Sequence, residues 1–317
     1  MNVKEMMQLS MMTEVATMYY EKNMTQSEIG EKLFLSRTRI SRILKKAQEE
    51  GVVEIKINHL LERNYSFEER FKQKFHLKEA ILYGGSRESE EEVQTGVVQL
   101  AAKYLKQIIK PKMTIGISWG NTVSKTVDAL TGVEKMPVNI VQIMGSASTS
   151  NYLSNANTIA NRLAAVYGGM VHNLNAPLFL PDVYVKKELM KDPLISKTMS
   201  LAANADIILT SIGTLNTVTD SNPWLGYLTA DMFEEIREQG AVGCIGARFF
   251  DKDGNGLNNF WNCRCIGIEL KDMKKIKNVV VVAAGEYKAE ALLGAIRGGY
   301  VDVLITDTGT AEKMLEL

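Results

Sequence analysis

From residue 77 onward the chain repeats one pattern, and that pattern leaves few folds open. Short apolar runs occupy residues 80–83, 114–118, 139–144, 206–211, 279–284 and 303–306. Stretches with helical periodicity lie between several of them, at 91–109, 123–129, 159–167, 230–239 and 289–297. Strands that are apolar on both faces and joined by helical crossovers predict a mainly parallel sheet, covered on both sides, in an α/β domain. In such sheets ligands bind at the carboxyl ends of strands, in the loops that lead into helices.

Those loops carry residues suited to an oxygen-rich ligand. Ser118, Trp119, Gly120, Asn121 and Thr122 follow one run and open a helical stretch. Gly145, Ser146, Ala147, Ser148 and Thr149 follow the next, Ser211, Ile212, Gly213 and Thr214 a third, and Gly285, Glu286, Tyr287 and Lys288 a fourth. Glycine lets backbone N–H groups approach an anion, and a helix N-terminus favours negative charge. Hydroxyls add neutral hydrogen bonds, and Lys288 adds a positive charge. The combination points to a phosphorylated sugar or similar polyol. Each loop alone is also explained by turn geometry, which favours Gly, Ser and Thr.

The N-terminal part has a different signature. Residues 25–46 read TQSEIGEKLFLSRTRISRILKK. Thr25 and Glu28 stand at capping-box spacing, so a helix is expected to start at Gln26. Ser36 is placed to N-cap a second helix. Ile29 and Leu33 share one face of the first, while Ile40, Ile43 and Leu44 share one face of the second. Gly30 is small where two helices must approach closely. This is helix-turn-helix spacing, with the second helix as the reader of a DNA major groove.

Charge agrees with that reading. The segment holds six cations against two anions, a local charge of +4, in a chain balanced at 37 of each sign. Arg pairs bidentately with guanine, and Thr or Ser reaches base edges or phosphates. The candidate DNA contacts are Gln26, Arg37, Thr38, Arg39, Ser41, Arg42 and Lys45. An upstream helical stretch near 11–21 supplies support, Gly51 ends the reading helix, and the alternation at 52–57 suggests a wing strand. The expected organisation is a winged helix-turn-helix domain over residues 1–57, a helical linker over 58–76, and an effector-binding and oligomerisation domain over 77–317.

Composition sets outer bounds. No apolar run approaches the roughly 20 residues needed to span a bilayer, so no membrane partner is expected. The N-terminus has no continuous apolar stretch of the kind export signals carry. Three cysteines, Cys244, Cys263 and Cys265, then predict free thiols in a reducing cytoplasm. Cys263 and Cys265 have no second Cys/His pair at zinc-like spacing, so neither a metal nor a cofactor is expected. His59, His76 and His172 are scattered. Arg248 could bind a phosphate or pair with a carboxylate.

With these residues in view, the chain resembles the SorC family of bacterial sugar-responsive transcription regulators. The resemblance rests on the N-terminal motif together with GISWGNTV at 116–123, VQIMGS at 141–146, ADIILTSIGT at 205–214 and the long stretch 285–315. It implies an effector domain like the ribose-phosphate isomerase and glucosamine-phosphate deaminase fold without their catalysis, and assembly into dimers or tetramers. It also implies partners: operator double-stranded DNA and a sugar or sugar-phosphate effector. Under the resemblance the Gly116–Thr122 loop, with Ser118, Trp119, Gly120, Asn121 and Thr122, and the Gly145–Ser146 turn form the sugar-phosphate cradle. Gly213 and Thr214 line the floor, Lys288 faces the anion, and Cys244 and Arg248 lie in a segment near the ligand. Two departures stand out. Many relatives carry an acidic residue where this chain has Cys244. One branch has a Schiff-base lysine where this chain has Met144, which predicts noncovalent binding here.

A second function class shares the α/β half: a sugar-phosphate isomerase or deaminase with an appended helical domain. It requires an acid/base pair over the sugar carbonyl. Asp206, Asp220 and Glu286 are candidates, but no local motif arranges them, and the arginine-rich helix has no role in that reading.

Overall fold

Thr25 and Ser36 set where the two helices of the 25–46 segment begin. The computed structural model describes residues 3–53, 63–85, 89–147, 155–215 and 228–317. The chain divides into two compact units, 1–60 and 61–317. In the first, α1 (Val3–Ala16) runs into a π-helical turn (Thr17–Glu21), followed by α2 (Gln26–Leu33) and α3 (Arg37–Glu49). The capping box forms as read: the Glu28 amide donates to Thr25 Oγ1 at 3.3 Å, and the Thr25 amide to Glu28 Oε2 at 2.8 Å. The Ser36 hydroxyl accepts from the Arg39 amide at 3.3 Å. Val15, Met18, Ile29, Ile40 and Leu44 make the small core. A Cβ on Gly30 would lie 2.6 Å from the Leu35 carbonyl oxygen, so the turn closes only over glycine.

Gly51 takes φ +71° just after α3, as expected of a terminating glycine. The expected wing strand falls mostly outside the described residues, and its first members, Val52 and Val53, are bends. Phe34, in the turn itself, has φ +55° and is 94% exposed. A left-handed conformation strains a β-carbon, and this ring gains no burial in return. Phe34→Gly is therefore expected to stabilise the first unit by about 0.5–1 kcal/mol. Slower amide exchange in α2 and α3 of the full-length variant checks this; faster exchange contradicts it.

The second unit begins with α4 (Tyr65–Phe75), N-capped by Asn64. This helix lies in the stretch read as a linker. Its Phe67 and Phe71 are buried in the core of the second unit, so it is part of that unit rather than a free-standing connector. The order then runs β1 (Glu79–Tyr83), α5 (Glu90–Ile108), β2 (Thr114–Ile117), α6 (Asn121–Asp128), β3 (Asn139–Gln142), α7 (Ala156–Tyr167), β4 (Met170–His172), α8 (Val183–Leu189), α9 (Pro193–Ala203) and β5 (Ile207–Thr210). After it come β6 (Gly213–Thr214), α10 (Ala230–Glu238), β7 (Ala241–Ile245), β8 (Arg248–Asp251), α11 (Phe260–Arg264), α12 (Leu270–Met273), β9 (Val279–Val282), α13 (Ala289–Arg297), β10 (Val303–Asp307) and α14 (Thr308–Glu316).

Seven strands form one sheet in the order β1-β10-β9-β5-β2-β3-β4, with every neighbouring pair parallel. Alternation divides its side chains between two cores. Val279, Val281 and Leu304 enter one; Val280, Val282, Val303 and Ile305 enter the other. The chain winds outward from β2 to β4, then returns with β5 on the other side of β2. That reversal opens a crevice beyond the carboxyl ends of β2 and β5, where doubly wound sheets bind ligands. A second, antiparallel sheet joins β6, β7 and β8. Its hairpin turns at Gly246 (φ +54°) and Ala247 (φ +64°), the backbone a two-residue turn between twisted strands requires. Among the described residues no helix is long and apolar enough to cross a membrane.

Candidate functional site

Two surfaces carry the candidate residues, one in each unit. On α3, burial of Ile40, Leu44 and Ala47 fixes which face points outward. At about 100° per residue, Thr38 and Arg42 lie opposite that stripe, with Ser41, Lys45 and Arg39 flanking them and Arg37 near its edge. Arg37, Thr38, Arg39, Ser41, Arg42 and Lys45 are all exposed, while Gln26, at the start of α2, is half-buried. Lys45 sits 3.8 Å from Glu49, a weak exposed pair. Among the described residues Arg37, Arg39 and Arg42 make no ion pair, so their guanidinium groups are available to phosphates or base edges.

In the second unit, β2 ends at Ile117 and the chain turns through Ser118, Trp119 and Gly120 into α6. The Ser118 amide donates to Leu209 of β5 at 3.2 Å, which ties this loop to the crevice. Gly120 adopts φ +121° and has no side chain to cap the helix. α2, α3, α4, α5 and α7 are all capped by a side chain of their own. α6 is not, so among the described residues its first turn, at Asn121 and Thr122 beyond the carboxyl end of β2, has no side-chain cap. Such a helix N-terminus is suited to an anion. Asn121 is exposed, and Thr122 is buried.

Across the crevice, residues 213–214 are a strand rather than a helix-leading loop. Gly213 pairs with Cys244 and Thr214 with Gly243. A Cβ on Gly213 would lie 2.6 Å from Cys244 Sγ, so these two residues specify one another. Burial pushes the Cys244 thiol up to about 12, so it is a neutral group there. The 3-10 turn Glu286–Lys288 packs beside β6 and leads into α13, which also lacks a side-chain cap. Burial lowers the Lys288 pKa from 10.5 to about 8, and the Asp307 charge opposes that shift. Ser118, Gly120, Asn121, Thr122, Gly213, Thr214, Cys244 and Lys288 thus gather around one end of the sheet.

Other expected members are placed differently. Arg248 is 2% exposed, and its guanidinium donates to the carbonyls of Asn262, Cys265, Gly267 and Ile268 and to Glu269. Its donors are consumed inside the protein, so the phosphate alternative fails and the carboxylate pairing stands. The Trp119 indole is 9% exposed within the apolar core, which leaves packing as its role rather than stacking on a sugar. The Gly145 amide donates to Ile266 and the Ser146 amide to Ala176, so neither N–H is directed at a ligand. Gly145 is needed for close approach instead: a Cβ there would lie 2.5 Å from the Pro177 carbonyl. Met144 is fully buried. Ser148 and Thr149 lie outside the described residues.

Among the described residues the acid/base candidates are not assembled. Asp206 precedes β5, at the amino edge of the sheet, where it accepts from the Thr114 amide at 2.8 Å. Glu286 is at the carboxyl edge, and Asp220 lies outside the described residues. Sequence reading passed over a cavity of about 820 Å³ on the α5 and α6 side of the same edge. Glu90, Gln94, Lys125, Glu286, Tyr287 and Asp307 line it, and Lys125 bonds Gln94 at 2.5 Å. Glu286 and Tyr287 belong to a loop already read as a ligand site, whereas Glu90, Gln94, Lys125 and Asp307 had no such signal because they come from separate segments.

Comparison with known proteins now decides the family. Residues 59–316 match the family described as "Putative sugar-binding domain". The chain belongs to the SorC family of sugar-binding transcriptional regulators. Residues 12–49 match sigma-70 region 4, a helix-turn-helix module. The chain is 29% identical to the sorbitol operon regulator of Klebsiella pneumoniae over 97% of its own length and 98% of that protein's. It is also 29% identical to the deoxyribonucleoside regulator of Bacillus subtilis, covering 98% of each. The crystal structure of the full-length Klebsiella pneumoniae regulator superposes with a TM-score of 0.76 at 28% identity, over 96% of this chain and 98% of that one. Membership of the SorC family makes this a DNA-binding transcriptional regulator with a sugar-binding domain, and not an enzyme.

Proposed function

We propose that the protein controls a carbohydrate-utilisation operon in the cytoplasm by binding operator DNA through α3, as a dimer or tetramer. A sugar or sugar-phosphate effector binds noncovalently at the carboxyl edge of the sheet and changes operator affinity through linkage between the two sites. The observation that carries the effector half is the uncapped N-terminus of α6, open at the point where the sheet reverses its winding. In this reading its amides take a phosphate, Lys288 supplies charge, and Asn121, Thr122 and Thr214 meet hydroxyls. Relatives named for sorbitol and deoxyribonucleoside control support a carbohydrate-derived effector.

A thermal-shift panel of sugars and sugar phosphates tests this, because a ligand bound to the native state raises the unfolding midpoint. Stabilisation by a member of the panel, followed by a change in operator affinity, is the expected result; no response across the panel removes the reading. With the ligand so found, Lys288→Met is expected to leave DNA binding intact and to weaken an anionic effector by about 1.5–3 kcal/mol. The DNA-response midpoint then moves to higher effector concentration. Coincident midpoints for mutant and wild type place Lys288 outside the site.

The lowered Lys288 pKa gives this reading a pH signature. Folding depresses the pKa, so in the free protein the protonated amine opposes stability below about pH 8, and that penalty is lifted as pH rises toward 10.5. Anion binding has the opposite preference, because it needs the ammonium. Affinity for a phosphorylated effector is therefore expected to fall as pH rises through about 8, with proton uptake on binding. Titrations at pH 7 and pH 9 differing by less than twofold exclude an ammonium contact.

A further inference from the structure

We propose that Asp307 is the positioning residue of the effector site, fixing the 285–288 turn to the end of β10 and holding its charge opposite Lys288. The proposal rests on the reading of Lys288 as an anion contact. It begins from the hydrogen bonds of one buried carboxylate. Asp307 is 7% exposed. Its Oδ1 accepts from the Thr310 amide at 2.8 Å, and its Oδ2 from the Thr310 hydroxyl at 2.6 Å. Those two bonds cap α14, a duty that Asn or Ser also performs.

The third bond is not a capping bond. Oδ2 also accepts from the Gly285 amide at 2.9 Å, across to the loop that follows a different strand. Gly285 has φ +106°, a conformation that orients this amide and starts the turn bearing Lys288. The Lys288 amide in turn donates to the Gly285 carbonyl at 3.0 Å. One carboxylate therefore fixes the position from which the Lys288 side chain departs.

The charge argument is independent of the hydrogen bonds. The turn packs against α13, α14 and β6. Glu290 and Arg297 are the charged groups of α13; Glu312, Lys313 and Glu316 are those of α14; β6 has none. The turn itself adds Glu286 and Tyr287, whose ring lies 5.7 Å from Lys288 Nζ. The Asp307 charge raises the Lys288 pKa against the lowering by burial. Lys313 is engaged with Glu316 at 2.8 Å. A carboxylate near a desolvated amine favours its protonated form, so removing that charge shifts the amine toward the neutral state.

The experiment uses the full-length protein and needs no knowledge of the effector. Lys288 is labelled with acetic anhydride at pH 7, where only the neutral amine reacts, and the modified peptide is quantified by mass. Asp307→Asn keeps a cap for α14 and removes the charge; if it does not fold, Asp307→Ser takes its place. Thr310→Val removes a capping bond while leaving the carboxylate, and serves as the structural control. The expected result is labelling about fivefold faster in Asp307→Asn, because a fall of one unit from a pKa of about 8 raises the neutral fraction at pH 7 from about one tenth to about one half, with Thr310→Val at the wild-type rate. Wild-type labelling in Asp307→Asn overturns the proposal, as does equal acceleration in both variants. Inorganic phosphate binding by Lys288→Met separates this from the underlying reading. If phosphate affinity is unchanged in Lys288→Met, the anion-contact reading fails, while the labelling still decides whether Asp307 controls the amine.

Discussion

Arg248→Met is expected to lower the stability of the α/β unit by about 3–5 kcal/mol, the largest effect of any single substitution considered. The guanidinium is buried at the start of β8 and stitches residues 262–269 to the antiparallel sheet. Methionine fills much of the volume but leaves four carbonyls without this donor, while Glu269 Oε1 keeps its bond from Lys186 at 3.2 Å. Unsatisfied buried acceptors keep their full desolvation cost. Glu269 is 43% exposed and recovers water, so the carbonyls dominate the loss. The damage extends further, because the Ile266 carbonyl accepts from Gly145 and the Ile268 amide donates to Ile143. Arg248→Lys is expected to rescue little, since three donors on one nitrogen do not reproduce a planar fork. Urea unfolding followed by tryptophan fluorescence measures the change; a loss under 1 kcal/mol means that Arg248 is not what holds those carbonyls.

The second large effect is on DNA. Changing Arg39 and Arg42 together to alanine is expected to weaken operator binding by about 1–3 kcal/mol for each side chain that reads a base. Arg42 lies opposite the buried stripe of α3 and Arg39 flanks it, so neither supports the fold. Binding to operator and to random duplex at one salt concentration separates two roles. A base contact loses operator preference, whereas a phosphate contact weakens both duplexes alike and flattens the salt dependence. Unchanged affinity for both duplexes, with α3 intact, removes this helix as the reader.

How much of this was visible in the chain itself varied with the range of the interactions. The capping box at Thr25, the Ser36 cap and the six apolar strands are local, and each appears where periodicity and side-chain chemistry put it. The antiparallel sheet was not legible: β7 and β8 read AVGCI and RFFD, without a period-two alternation to distinguish them from loop. The short β4 falls below the length at which a pattern exists.

At the site, the same division holds. Ser118 to Thr122 and the 285–288 turn could be found because glycine and hydroxyl residues follow strands directly. Arg248 and Trp119 were indistinguishable from ligand groups, since only the fold reveals that backbone carbonyls and core residues already surround them. Asp307 was hidden for the converse reason: an Asp at the start of a helix reads as a cap, and its bond to Gly285 spans 22 residues.

Arg63 and Glu68 bear on how the two halves of the protein can be separated. β1 is an edge strand, and an open edge is a template for pairing with another chain. Glu68 Oε1 accepts from the Leu82 amide at 2.8 Å, and both its oxygens hold the Arg63 guanidinium. Arg63 itself bridges to Tyr83. These contacts plug the edge from within the chain. A fragment starting at residue 61 carries its own plug, whereas one starting at residue 77 leaves the β1 edge and the Phe67 and Phe71 sockets bare. The first is a sound starting point for ligand work on the isolated α/β unit, and the second invites sheet-to-sheet growth between copies.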